Sequence, residues 1–166
     1  MVYNDAMKER KEQTRVSAMD RALTYLGYRM RSKKEMEDYL RQKGYEAGEI
    51  QETMDRLADY GYIDDVAFSR EFLRSRLNRG PVGRKKLEYD LLKKGVDREA
   101  IARVLEEYHG QEEEERCREL AERLAAQKGR NRKALQSVQR TLLARGFGYD
   151  LIRQALAGLG EEGERD

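Results

Sequence analysis

One spacing recurs along this chain and constrains its fold more than any other feature. Gly44, Gly95 and Gly146 recur every 51 residues (95 − 44, 146 − 95). The same step, without a gap, links Leu40, Leu91 and Leu142, and it links Ile50, Ile101 and Ile152. It also joins Met36, Leu87 and Val138; Met54, Leu105 and Leu156; Tyr45, Val96 and Phe147; and Ala22, Leu73 and Leu124. A fixed period with matched apolar positions marks a tandem repeat, each unit of which supplies one supersecondary motif.

Within each unit the apolar spacing is helical. In the first, Ala22, Leu23 and Leu26 mark one helix. Ser32 and Glu35 make a Ser-x-x-Glu capping box that opens a second helix, whose inner face carries Met36 and Leu40. Gly44 closes it as a left-handed residue. A third helix runs from about Glu46 to Tyr60, with Ile50, Met54 and Leu57 inward, and Gly61 ends it. In the second unit Asp64 or Asp65 caps a helix carrying Phe68, Phe72, Leu73 and Leu77. Gly80-Pro81 breaks that helix, Leu87 and Leu91 mark the next, and Asp97 caps the last. The third unit opens on a charged helix from about Glu112 to Gln127 and ends at Leu159.

The fold class expected is therefore all-α: three tandem three-helix repeats forming an elongated or curved array. A unit this small buries little surface alone, and stacking on a neighbour is the usual remedy. The expected boundaries are a polar arm or helix extension at 1–16, repeats at 17–62, 63–110 and 111–160, and a frayed tail at 161–166.

Composition tests this against disorder. Charged residues make up 40% of the chain and mean hydropathy is −0.98. That pairing is a signature of disorder when net charge is also high. Here 34 Lys and Arg balance 32 Asp and Glu, and the apolar residues hold their helical register. Cys117 is the one cysteine, so no intramolecular disulfide can form and a reducing compartment fits. No apolar run reaches the length of a signal peptide core or a membrane span. A cytoplasmic monomer with no membrane partner is expected.

Three short helices with a glycine turn before the last also describe a helix-turn-helix domain, whose last helix enters the major groove. The third helices argue against it. That of the first repeat carries Glu46, Glu49, Glu52, Asp55 and Asp59 against Arg56, and that of the second carries Asp97, Glu99, Glu106 and Glu107 against Arg98 and Arg103. Cations gather instead around the start of each second helix. The first repeat offers Arg29, Arg31, Lys33 and Lys34; the second Arg79, Arg84, Lys85, Lys86, Lys93 and Lys94; the third Arg130, Arg132, Lys133, Arg140 and Arg145. Charge runs on helices are usually solvated faces. The recurrence of these clusters in step with the repeat points further, to a discontinuous basic track for a polyanion or an acidic protein surface. Helix dipoles and free amides at the helix starts would add to it.

Enzyme chemistry is not visible, and neither a cofactor nor a metal is implied. His109 has no nucleophile or second ligand nearby and is expected at a helix C-terminus beside Gly110. Cys117 lacks a Cys or His partner for zinc. Asp64 and Asp65 read as caps, and Gly80-Pro81-Val82-Gly83 lacks the spacing of a phosphate loop. Tyr28, Tyr45, Tyr60 and Tyr62 could stack on a partner, but packing is the use expected of them.

The stretch from Ala22 to Tyr108 resembles the RecX regulatory family. The likeness lies in Arg31-Ser32 followed by Glu35, then Leu40 and Lys43-Gly44-Tyr45. It continues in Gly61-Tyr62-Ile63-Asp64-Asp65 with Phe68, and in Arg79-Gly80-Pro81-x-x-Arg84 leading to Leu87, Leu91 and Lys94-Gly95-Val96. In the third repeat, Glu112 to Glu115 replace the Gly-Tyr-x-Asp-Asp junction. The resemblance implies a non-enzymatic modulator of the RecA recombinase. Such proteins lodge in the groove of RecA filaments on single-stranded DNA and limit ATP hydrolysis, strand exchange and filament growth. Its partners would be the RecA filament and single-stranded DNA, with double-stranded DNA second. Arg84, Lys85, Lys86, Arg132 and Lys133 are the foremost candidates for contact. Neutralising those five is expected to weaken binding and leave thermal unfolding nearly unchanged. A direct nucleic-acid binder independent of RecA, and a scaffold for a partner peptide, are the competing readings.

Overall fold

The computed structural model describes Asp5, Met7 and residues 15–161. Most of the expected arm at 1–16, and the tail from 162, lie outside the described residues. Among those described there are nine helices and no strand. They fall into two compact units that divide between Asp64 and Asp65.

The first unit holds α1 (Ala18–Leu26), α2 (Lys33–Gln42) and α3 (Ala47–Asp59). Ser17 opens α1 by accepting from the Asp20 amide at 3.1 Å. Ser32 and Glu35 form the reciprocal capping box at the start of α2. Gly44 follows α2 at φ 87°, the left-handed value that lets the chain turn tightly into α3. The core is small: Ala18, Ala22, Met36, Leu40, Tyr45, Ile50, Met54, Leu57 and Ile63. Leu26 packs partly against it, whereas Leu23 stays exposed. Small residues four apart, Ala18 and Ala22, bring α1 close to α2 and α3.

The second unit holds two repeats. Its helices are α4 (Asp65–Arg79), α5 (Arg84–Lys93), α6 (Arg98–Leu105), α7 (Gly110–Lys128), α8 (Arg132–Ala144) and α9 (Tyr149–Glu161). Phe68, Leu73, Leu87, Leu91, Ile101, Val104 and Tyr108 centre one core, and Cys117, Leu120, Val138, Leu142, Phe147 and Ile152 centre the other. Asp97 caps α6 by accepting from the Ala100 amide, and Asn131 caps α8 by accepting from Ala134, both at 2.8 Å. His109 does not end a helix, as the sequence led us to expect. The short α6 stops at Leu105, a turn follows, and His109 stands as the N-cap residue of α7, without a side-chain cap bond. The favourable helix-end position for a cation is therefore absent there.

The two repeats of this unit join backbone to backbone. The Gly83 amide donates to the Arg145 carbonyl at 2.9 Å, and the Lys85 amide donates to the Gly146 carbonyl at 3.1 Å. A Cβ on Gly83 would stand 2.3 Å from the Gly146 oxygen, so only glycine permits this approach. Val82 is tied into the same joint, because its carbonyl accepts from the Tyr108 hydroxyl at 2.8 Å.

Candidate nucleic-acid interface

The second helix of each repeat and the segment before it position the cations singled out in the sequence. In the first unit most are engaged locally. Arg29 pairs with Glu35 at 2.6 Å, and the hydrogen bond between them holds the guanidinium above its ordinary pKa. Arg31 donates to the Tyr25 carbonyl and lies 3.6 Å from the centre of the Tyr25 ring. Lys34 pairs with Asp38 at 2.6 Å, and Arg41 pairs with the same carboxylate at 3.1 Å. These two cations hold the Asp38 carboxyl below its usual range, Lys34 first. Lys33 is exposed beside them. This cluster is largely neutralised by its own acids.

In the second unit Arg84 sits in the joint between the repeats. Its amide donates to Glu113 Oε2 at 2.7 Å, its guanidinium Nη2 donates to the Tyr108 carbonyl, and its Nε stands 3.8 Å from the Glu113 carboxylate. Glu113 itself is only 8% exposed. Gly83, the N-cap of α5, has no side chain with which to cap the helix. Glu113 of the next repeat caps it instead, with a carboxylate on the positive end of the helix. The amides of Gly83, Arg84 and Lys85 are thus all satisfied by the third repeat. Ser32 and Asn131 take one amide each at α2 and α8. The expectation of free helix-start amides for a polyanion is corrected accordingly: at α5 the joint uses them.

The remaining cations of this unit divide into engaged and exposed ones. Lys86 pairs with Asp90 at 3.1 Å, and Lys94 is half-buried. Arg130 donates to the Leu159 carbonyl at 2.9 Å. Arg79, Lys85, Lys93, Arg132, Lys133, Arg140 and Arg145 are exposed, and no ion pair among the described residues engages them. The Arg145 guanidinium reaches the joint, 3.5 Å from where a Cβ on Gly80 would stand. Sequence reasoning missed Glu113. A signal existed, because Glu113, Cys117, Leu120, Ala121 and Leu124 share the buried face of α7 at helical spacing.

Burial raises the Tyr108 phenol well above its ordinary value and pushes the Cys117 thiol up to about 11, with Glu113 adding to both. Neither is poised for reaction. Among the described residues no cluster of His, Cys, Asp and Glu could hold a metal ion, and no helix is long and apolar enough to cross a membrane.

Fold and site together define a class: an all-α protein of tandem three-helix repeats, each repeat carrying cations around its second helix. Family models for the first, second and third three-helix domains of RecX match residues 18–57, 64–105 and 111–156. The regulatory protein RecX of Oceanobacillus iheyensis is 32% identical over 134 residues, which is 80% of this chain and 49% of that protein. The RecX of Geobacillus thermodenitrificans is 32% identical over 171 residues, 100% of this chain and 61% of that protein. The crystal structure of RecX from Lactobacillus salivarius is similar with a TM-score of 0.78 at 30% identity, covering 86% of this chain and 94% of that one. This chain belongs to the RecX family of regulatory proteins. It spans about half the length of curated relatives such as those of Oceanobacillus iheyensis and Listeria welshimeri.

Proposed function

We propose that this chain regulates a RecA recombinase, seating itself on filaments that RecA forms on single-stranded DNA. It limits ATP hydrolysis, strand exchange and filament growth without chemistry of its own. It acts as a cytoplasmic monomer, with single-stranded DNA its first nucleic-acid contact and double-stranded DNA its second. The observation that supports this best is the set of exposed cations in the second unit that no acid among the described residues neutralises: Arg79, Lys85, Lys93, Arg132, Lys133, Arg140 and Arg145. They stand on two repeats held together through backbone hydrogen bonds, so the spacing between their clusters is set in advance of binding. Several clusters engaged at once bring avidity to a periodic filament.

The test is single-stranded-DNA-dependent ATP hydrolysis by the cognate RecA, titrated with this chain. Inhibition at well below one chain per RecA is the expected result. An unchanged rate from a folded chain overturns the reading and puts direct nucleic-acid binding in its place.

A further inference from the structure

We propose that Tyr89 and Tyr149 form a base-stacking platform for a single-stranded polynucleotide, with Lys85, Lys86 and Lys93 around it as phosphate contacts. This deepens the reading above, on which it rests for the basic face meeting a polyanion.

Tyr89 is 56% exposed and Tyr149 59% exposed, and neither belongs to a core cluster. More than half of each side chain is open to solvent, within reach of a stacking partner. Two lysines frame Tyr89 and one flanks Tyr149. The Lys86 and Lys93 ammonium groups lie 5.6 Å and 5.3 Å from the centre of the Tyr89 ring, and that of Lys85 lies 6.0 Å from the centre of Tyr149. Lys85 and Tyr89 are four residues apart on α5 and so share one face of it. Lys85 therefore links the two rings into one surface, which the joint between the repeats holds together.

The charges facing this surface are mostly cationic. Among the described residues Lys85 and Lys93 have no ion pair, and Lys86 shares Asp90 with Arg76, which lies 3.8 Å from it. Glu88 is paired with Arg98 at 3.5 Å, and Asp150, beside Tyr149, has Arg153 at 3.9 Å.

The repeat period supplies the contrast. Stepping back one period from Lys85, Tyr89 and Lys93 gives Lys34, Asp38 and Gln42; stepping forward gives Gln136, Arg140 and Ala144. In the first repeat Asp38 neutralises Lys34, and the nearby tyrosines are occupied with each other: Tyr25 and Tyr39 stack at 3.8 Å under Arg31. The second repeat alone sets an exposed ring between lysines on this stripe. An acidic protein segment would use the lysines and leave the rings idle. A single strand uses both, its phosphates on the ammonium groups and its unpaired bases on the ring faces. A duplex, with its bases paired and stacked inside, offers the rings nothing.

The chain has no tryptophan, so one introduced tryptophan reports its own surroundings. The full chain carrying Tyr89→Trp or Tyr149→Trp is titrated with a short oligothymidylate in the absence of any recombinase. Fluorescence quenching is expected in both, with none for Tyr28→Trp, a site 81% exposed in the other unit. In anisotropy titrations Tyr89→Ala and Tyr149→Ala each bind the oligonucleotide about 5-fold or more weakly. Tyr→Phe at either site binds as the parent does, because stacking uses the ring and not the hydroxyl. Both rings are exposed, and circular dichroism verifies that each variant is folded. Parental binding by the alanine variants, or absence of quenching, overturns the proposal. So does displacement of the oligonucleotide by polyglutamate at equal charge. Failure to inhibit ATP hydrolysis by a chain that still shows quenching would overturn the recombinase reading alone.

Discussion

Gly83 lies against Gly146, and the two glycines leave no room for a side chain on either. A Cβ on Gly146 would stand 2.3 Å from the Lys86 Cβ, at a backbone φ of 88° that disfavours any other residue. Gly83→Ala should therefore cost about 1–3 kcal/mol through overpacking, and Gly146→Ala at least as much. Gly158, inside α9 with nothing near it, is the control: its change to alanine should stabilise by up to about 1 kcal/mol. Urea unfolding of the three variants checks this. Parental stability for Gly83→Ala would contradict the close approach.

Glu113 caps a helix of the neighbouring repeat. Glu113→Ala leaves the Arg84 amide without its acceptor and the guanidinium without its counter-charge, at a cost of ~1–3 kcal/mol. Glu113→Gln keeps an acceptor and should cost less. Arg84→Ala should also lower stability, so neutralising it with Lys85, Lys86, Arg132 and Lys133 would mix a folding effect into the binding effect. The clean test of charge omits Arg84. A melting temperature for Arg84→Ala equal to the parent's would count against this role.

How much of this could be read in the sequence depends on the range of the interaction. Local signals came through: the capping box of Ser32 and Glu35, the turn at Gly44, and the cap at Asp97 each depend on residues within one turn. The Arg84–Glu113 contact joins residues 29 apart; the spacing within α7 marks Glu113 as inward-facing but does not name its partner. The basic clusters were visible as composition. Their division into neutralised and free cations was not, because Asp38 and Asp90 decide it through rotamers in space. The sequence places His109 at a helix C-terminus, whereas α6 ends a turn earlier than its period suggests and His109 opens α7.

The buried thiol gives a pH dependence. Cys117 is pushed up from 9.0 to about 11, first by burial and then by Glu113. Below pH 9 the thiol is protonated in both states, and its contribution is fully present. As pH rises from 9 towards 11 the unfolded chain releases the proton while the folded chain holds it, so stability falls. Tyr108 acts in the same direction. Cys117→Ala should show a shallower loss over that window, followed by urea unfolding. An identical slope would contradict the shift.

Free cations should act through counterion release. Arg132 and Lys133 are exposed at the start of α8, without ion pairs among the described residues. Replacing either by glutamine should lower the salt slope of single-strand binding by about 0.7, with unfolding unchanged. An unaltered slope would remove that residue from the interface.

The central claim is that the unneutralised cations of the second unit act on a recombinase filament. The most direct test compares the chain with a variant carrying Lys85, Lys93, Arg132 and Lys133 all changed to glutamine. Both are titrated into cognate RecA hydrolysing ATP on single-stranded DNA. Inhibition by the parent at well below one chain per RecA is expected, with most of it lost in the folded variant. Equal inhibition by the two would contradict it.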